Sequence, residues 1–326
     1  MPVRLTILGS GSSGNCAYVE TEETRVIIDA GFSLRQIRQR LAAIGRVPEN
    51  LTGILLTHEH HDHVQGVAAL SQKLEIPVYC NRPTREAVEE QSRTRLDCRM
   101  FNTGASFELG DLLVDSFTIP HDAQEPVGYL LRTPAGNIGI VTDLGHTTRL
   151  VLERIRSAQV LILESNHDVK MLQDCPHRPW SLKQRILGRH GHLSNEAAAD
   201  AVEQIVSANL RHLYLGHISR ECNRPELALR VMAQRLQKLG VSHVRVEATS
   251  HLQCPTLELV ASDSAAAAEC ARPGRSKLDE GWNLEDLSAT RPFDVAAPGT
   301  GALPGSECQE RPPFELWQAA APKISK

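Results

Sequence analysis

Short apolar runs alternate with amphipathic stretches over the first 262 residues of the chain. Runs such as "LTGILLT" (51–57) and "QVLILE" (159–164) are brief and almost wholly apolar, a pattern typical of buried β-strands. Stretches such as "LRQIRQRLAAI" (34–44) and "SNEAAADAVEQIVSAN" (194–209) repeat apolar residues at helical spacing. The alternation of the two patterns predicts a mixed α/β fold.

The same criteria predict the other main elements. Hairpins are predicted over 16–29, 106–121 and 128–143. Strands are predicted before Leu8 and over 76–80, 210–217, 243–248 and 255–261, and further helices over 64–74, 84–93, 147–158, 180–190 and 225–240.

The N-terminal stretch "LGSGSSGN" spells G-x-G-x-x-G at Gly9, Gly11 and Gly14, and Asp29 follows 20 positions after Gly9. This spacing is that of a dinucleotide-binding fingerprint, in which a helix must follow the glycine loop. Here the next residues predict two short strands joined by the polar turn "TEET". Because no crossover helix fits between them, we exclude dinucleotide binding.

The composition changes near residue 263. Beyond it the chain holds 7 of its 18 prolines, no histidine and no sustained periodicity. This predicts a domain over 1–262 followed by a disordered C-terminal extension over 263–326. The segment "PPFELWQAA" in that extension is a candidate for binding a protein partner.

Charge and hydropathy narrow the class of protein. The net charge of −4 means that any binding of nucleic acid must depend on local patches or on metal ions. No apolar run reaches the length of a membrane helix, and the N-terminus lacks a signal peptide, so we expect a cytoplasmic protein with no membrane partner. The 8 cysteines include no C-x-x-C pair, which indicates reduced, structural thiols.

A histidine cluster, "LLTHEHHDHVQG", directly follows the predicted strand 51–57. Alternate residues of an extended segment face the same way, so His58 and His60 can reach one metal ion. Asp62 and His63 follow as the chain turns into a helix, and they can face a neighbouring ion. Imidazole with a carboxylate suits Zn²⁺ and Mn²⁺.

Three further polar residues, His121, Asp143 and His217, end predicted strands in the same way. Polar groups that end successive strands converge on one edge of a sheet. With the cluster they make seven candidate ligands, enough for two divalent ions that share a carboxylate.

The order of "THEHHDH", "PH", "TD" and "GH" resembles the metallo-β-lactamase superfamily. The resemblance implies a four-layer αββα sandwich of the α/β (α+β) class over residues 1–262. It also implies a first ion held by His58, His60 and His121, a second held by Asp62, His63 and His217, and Asp143 bridging the two. Asp29 would support the histidine loop without binding metal, and His61 occupies a variable position.

Stretches such as "GSGSSGNCAYV", "LESNHDVKML" and "LGHISRECNRPELA" resemble the YycJ/WalJ group of this superfamily. That group is associated with 5′-to-3′ exonuclease action on DNA, so DNA is the expected substrate. Action on RNA or on small phosphodiesters remains an alternative, as does a non-catalytic metal-binding module.

Residues beyond the seven ligands complete the predicted site. Asp62 and His192 are the candidate catalytic residues, with His192 binding the scissile phosphate or protonating the leaving oxygen. Ser12 and Asn15 are candidates to contact the substrate. Asn166 is expected to fix the position of the site residues without binding metal or substrate itself.

Overall fold

The computed structural model describes residues 2–260, and the extension predicted over 263–326 lies outside them. Two seven-stranded β-sheets are present. In the first, the strands lie in the order β14-β1-β2-β3-β4-β5-β6. Its strands are β1 (Val3–Gly9), β2 (Cys16–Glu20), β3 (Arg25–Ile28), β4 (Gly53–Leu55), β5 (Val78–Cys80), β6 (Cys98–Met100) and β14 (Leu257–Leu259).

The second sheet has the order β13-β12-β11-β10-β9-β8-β7. Its strands are β7 (Ser106–Leu109), β8 (Leu112–Thr118), β9 (Val127–Arg132), β10 (Ile138–Val141), β11 (Val160–Glu164), β12 (His212–Gly216) and β13 (Arg245–Ala248). In both sheets an antiparallel half continues into a parallel half, β3 to β6 in the first and β10 to β13 in the second.

The helices connect and cover these strands. They are α1 (Leu34–Ala42), α2 (His61–Val64), α3 (Val67–Leu74), α4 (Arg82–Ser92), α5 (Arg149–Ile155), α6 (Val169–Asp174), α7 (Trp180–Leu187), α8 (Asn195–Ile205) and α9 (Pro225–Lys238), with a 3₁₀ turn at Pro48–Asn50. Within residues 2–260, no helix has the length and apolar character needed to cross a membrane.

Three apolar clusters define the layers. One lies between the sheets and joins residues such as Leu5 of β1 to Tyr129 of β9. A second packs α1, α3 and α4 on the outer face of the first sheet, and a third packs α5, α8 and α9 on the outer face of the second. The predicted four-layer αββα sandwich is therefore confirmed.

The predicted hairpins are present, and the stretch that excluded dinucleotide binding is one of them, because β2 and β3 pair antiparallel. Two short elements, α6 and β6, were not predicted. Asp168 caps α6 by accepting a hydrogen bond from the Met171 amide at 2.8 Å. With six residues in α6 and three in β6, neither is long enough to show a period in the sequence.

Three strands of the parallel halves end in residues with left-handed backbone. Asp29, Asp143 and His217 have φ angles of 60°, 58° and 53°. Residues with a side chain adopt this conformation at a cost of about 1–2 kcal/mol, so surrounding contacts must hold it. Each of these residues turns the chain sharply at the end of its strand, and all three point to the same region of the molecule.

Gly31 lies where the segment after β3 passes directly over the histidine loop. A Cβ at this position would be 1.7 Å from the Asp62 carbonyl oxygen and 2.5 Å from the Asn15 nitrogen. Only a residue without a side chain allows this approach.

We therefore expect Gly31→Ala to lower the free energy of unfolding by about 1–3 kcal/mol, since the backbone near Asp62 must move. Urea denaturation measures the effect. Gly216→Ala is the matched control, because the nearest atoms to its added methyl lie at 3.4 Å or more, an ordinary contact. Equal losses in the two variants would contradict the expectation.

Candidate metal centre

The predicted ligands converge at one end of the sandwich. They come from the loops after β4, β8 and β10, from the residue that follows β12, and from α2. The cluster turns into a helix as predicted, because α2 begins at His61 and carries Asp62 and His63 in its first turn. His61 itself is exposed. Residues far apart in sequence thus meet because the strands of both sheets end at the same edge.

His58, His60 and His121 form the first group. Each offers a ring nitrogen, and these atoms lie within 4.8 Å of one another. The shortest separation, 3.2 Å, is between His60 Nδ1 and His121 Nε2. His58 and His121 are buried, whereas His60 is partly exposed.

Asp62, His63 and His217 form the second group, also within 4.8 Å. Asp62 Oδ2 lies 3.6 Å from His63 Nε2 and 3.4 Å from His217 Nε2. The two groups are the ones that the resemblance assigned to separate ions.

Asp143 lies between the groups. Its Oδ2 is 2.8 Å from His63 Nε2 and 4.0 Å from His58 Nε2, one residue from each group. His217 and His63 hold the pKa of this carboxyl well below its usual range, against the opposing effect of burial. Asp143 is therefore an ionised carboxylate in the position expected of a shared ligand.

Hydrogen bonds at Nδ1 fix the orientation of two imidazole rings of the histidine loop. His63 Nδ1 donates to Asp29 Oδ2 at 2.7 Å, and Thr57 Oγ1 donates to the same oxygen at 2.9 Å. That hydroxyl then accepts from His58 Nδ1, also at 2.9 Å. Asp29 thus orients two rings so that their Nε2 atoms face the centre, the arrangement that supports metal-binding histidines.

The other two rings are held in the same manner. His121 Nδ1 donates to the Gly191 carbonyl at 3.1 Å. His217 Nδ1 lies 2.9 Å from Glu164 Oε1, with its Nε2 turned toward Asp62. Every buried histidine of the two groups therefore presents Nε2 to the centre.

Two observations test whether these residues fit divalent ions. His58 Nε2 and His217 Nε2 are buried and have no hydrogen-bond partner within residues 2–260. Burial also lowers the pKa of His58 well below its usual value, so its ring is neutral and can act as a ligand. Buried nitrogens without a partner, facing a buried carboxylate, fit a divalent cation.

Glu164, the last residue of β11, is a site residue that the sequence analysis missed. Its Oε1 lies 2.8 Å from His192 Nδ1 and 2.9 Å from His217 Nδ1. Its Oε2 accepts from the Leu144 and Leu193 amides. Although burial raises it, the pKa of Glu164 is held at about 2 by His192 and His217. An acidic residue ending an apolar strand is the signal that identified Asp143, and it was present here too.

Three of the four remaining predicted residues surround a cavity of about 220 Å³. Ser12, Asn166 and His192 line it, and the His192 side chain is 22% exposed. Asn166 Nδ2 donates to the His217 carbonyl at 2.8 Å. Asn15 is buried instead, and its Nδ2 donates to Asp62 Oδ2 at 3.2 Å while Oδ1 accepts from the Gly11 amide.

The contacts of Asp29 lead to a measurable expectation. Asp29→Asn removes the negative charge and leaves one acceptor oxygen, which cannot serve both the Thr57 amide and His63 Nδ1. We therefore expect the affinity for Zn²⁺ to fall about 10- to 100-fold while the fold is retained. Competition with a chromogenic chelator measures the affinity. Asp115→Asn is the control, because Asp115 also accepts two side-chain hydrogen bonds but lies on β8, before the site loops. Unchanged affinity in Asp29→Asn would contradict the supporting role.

Comparison with known proteins agrees with this geometry. A sequence model of the beta-lactamase superfamily domain matches residues 24–218. The chain is 36% identical over 242 residues to "Exodeoxyribonuclease YycJ" of Bacillus anthracis, covering 74% of this chain and 91% of that protein. It is 38% identical over 244 residues to "Exodeoxyribonuclease WalJ" of Streptococcus pneumoniae serotype 2 strain D39, covering 73% and 90%.

Among solved structures, the fold is similar to that of the metallo-β-lactamase fold protein YhfI from Bacillus subtilis. The TM-score is 0.57 at 15% identity, over 79% of this chain and 99% of that one. The family match and the two relatives confirm the resemblance seen in the sequence motifs. The chain therefore belongs to the metallo-β-lactamase superfamily, in the group of the YycJ and WalJ exodeoxyribonucleases.

Proposed function

We propose that this protein is a metal-dependent phosphodiester hydrolase that removes nucleotides from the 5′ end of DNA. The observation that carries the proposal is the pair of ligand groups sharing Asp143 in one cavity. The names of the YycJ and WalJ relatives support an exonuclease that acts on DNA.

The residues of the centre have separate tasks in this proposal. His58, His60 and His121 would hold one divalent ion, Asp62, His63 and His217 a second, and Asp143 both. Such ions, when bound, polarise the phosphoryl oxygens and lower the pKa of a water molecule. Zn²⁺ and Mn²⁺ both suit these ligands.

Asp62 is the proposed catalytic carboxylate on the cavity side. Its side chain is 24% exposed, whereas that of Asp143 is almost fully buried. Asn15 donates to one oxygen of Asp62, which fixes the rotation of the carboxylate. Asp62 can therefore orient the attacking water as well as act as a ligand.

His192 is the proposed proton donor to the leaving oxygen. Its Nδ1 lies 2.8 Å from Glu164 Oε1 and 3.3 Å from Asp143 Oδ1, so Nδ1 carries a proton and Nε2 remains for the cavity. Glu164 raises the pKa of His192 above its usual value in spite of burial. In the proposal, Glu164 keeps His192 charged and oriented, and His192 donates from Nε2 as the P–O bond breaks.

Labelled strands test the reaction and its direction. We expect the purified protein with Mn²⁺ to release a labelled mononucleotide at once from 5′-labelled DNA, and to shorten 3′-labelled DNA gradually. RNA of the same sequence is expected to react more slowly.

His60→Ala and Asp143→Ala should abolish hydrolysis while circular dichroism shows a folded protein. Release of the 3′ label first would overturn the direction, and faster cleavage of RNA would overturn the substrate.

The role of His192 predicts a loss of rate without a loss of metal. We expect His192→Gln to lower kcat about 10²- to 10⁴-fold, because a proton donor is lost, with metal content unchanged. Single-turnover kinetics and elemental analysis measure the two quantities. His177→Gln, an exposed histidine before α7, is the control. A variant that lost its metal in proportion to its rate would indicate a ligand instead of a proton donor.

A further inference from the structure

Two loops from opposite sheets form one side of the cavity mouth. Ser12 and Ser219 line the cavity beside His217, and their neighbours Ser13 and Arg220 are exposed just outside it. We call these four residues the serine–arginine rim. It offers three hydroxyls and a guanidinium next to the second ligand group, the chemistry with which proteins bind phosphate.

The rim is a fixed structure and not two independent loops. The His217 amide donates to Ser10 Oγ at 2.8 Å, and Arg220 Nη2 donates to Ser13 Oγ at 3.0 Å. A Cβ on Gly11 would lie 3.5 Å from the Ile218 carbonyl oxygen, so the two backbones run in contact. The position of Arg220 is therefore tied to that of the ligand His217.

The charge of Arg220 is not neutralised by a neighbour. Two other arginines line the cavity, and each is paired: Arg178 with Glu221 at 3.0 Å and Arg185 with Asp122. Arg220 forms no ion pair with any residue between 2 and 260. Its one hydrogen bond goes to Ser13, and a guanidinium carries five N–H donors, so most of its donors are free to bind an anion.

We infer that Arg220, held by Ser13, binds the backbone phosphate of the retained DNA strand next to the scissile one. Arg220 directly follows Ser219, which lines the cavity, but does not line it itself. It is therefore placed to bind a neighbouring phosphate and not the reacting one. Arg178 and Arg185 line the cavity but are paired with acidic residues, so we place the strand over the serine–arginine rim, where Arg220 has no acidic partner among residues 2–260. The inference rests on the proposed function and names the path of its substrate.

The test measures KM, kcat and the dependence of KM on salt for a 5′-phosphorylated single-stranded DNA. We expect Arg220→Ala to raise KM about tenfold, since a charged hydrogen bond is lost, with a smaller change in kcat. The slope of log KM against log salt should fall by about 0.7, the value for one phosphate contact on a single strand. Arg220→Lys should recover the slope, because it keeps the charge.

Arg211→Ala is the matched control, because Arg211 is an exposed arginine directly before β12, at the end of that strand opposite His217. It should retain the wild-type KM and slope. A wild-type protein that does not cleave DNA would refute the proposed function. An active wild-type protein whose Arg220→Ala variant keeps both KM and slope would refute the phosphate contact alone. Thermal unfolding of each variant separates loss of binding from loss of fold.

Discussion

The hydrogen bonds made by the Nδ1 atoms of four buried histidines determine whether this centre can hold metal ions. Without the acceptors Asp29, Thr57, Glu164 and the Gly191 carbonyl, each ring could rotate and its Nε2 would have no defined direction. These acceptors lie on both sheets, at the ends of β3 and β11 and in the loops after β4 and α7. The ligand groups are therefore as rigid as the strand ends that carry their supports.

That rigidity depends on three residues with left-handed backbone conformation at the ends of parallel strands. In each sheet the parallel strands end at the centre, and a left-handed residue turns the chain within two residues of the strand end. An ordinary loop would place the same side chains with less precision. The left-handed conformations of Asp29 and His217 are held by buried hydrogen bonds, and that of Asp143 by its contact with His63. The contacts that hold the strained backbone are therefore the ones that orient the site.

The clustering of the candidate ligands and most elements could be predicted from the sequence, because each depends on local pattern. A histidine cluster after an apolar run and polar residues at strand ends are visible in one dimension, and Glu164 carried the same signal unnoticed. The contact between Ser13 and Arg220 is different, since 207 residues separate the two and only the packing of both sheets brings them together. Likewise, the sequence indicates only that Asn15 lies in a loop, and the structure shows that its side-chain amide donates to Asp62.

The seven candidate ligands divide between the two halves of the fold. His58, His60, Asp62 and His63 follow a strand of the first sheet, and His121, Asp143 and His217 follow strands of the second. An ion held by both halves stabilises the native chain over any state in which the sheets have separated, so its binding free energy adds to that of folding. During synthesis the first four ligands emerge long before the last. The nascent chain therefore lacks the complete centre until the strand before His217 has been made and docked, and the activity proposed above requires the finished domain.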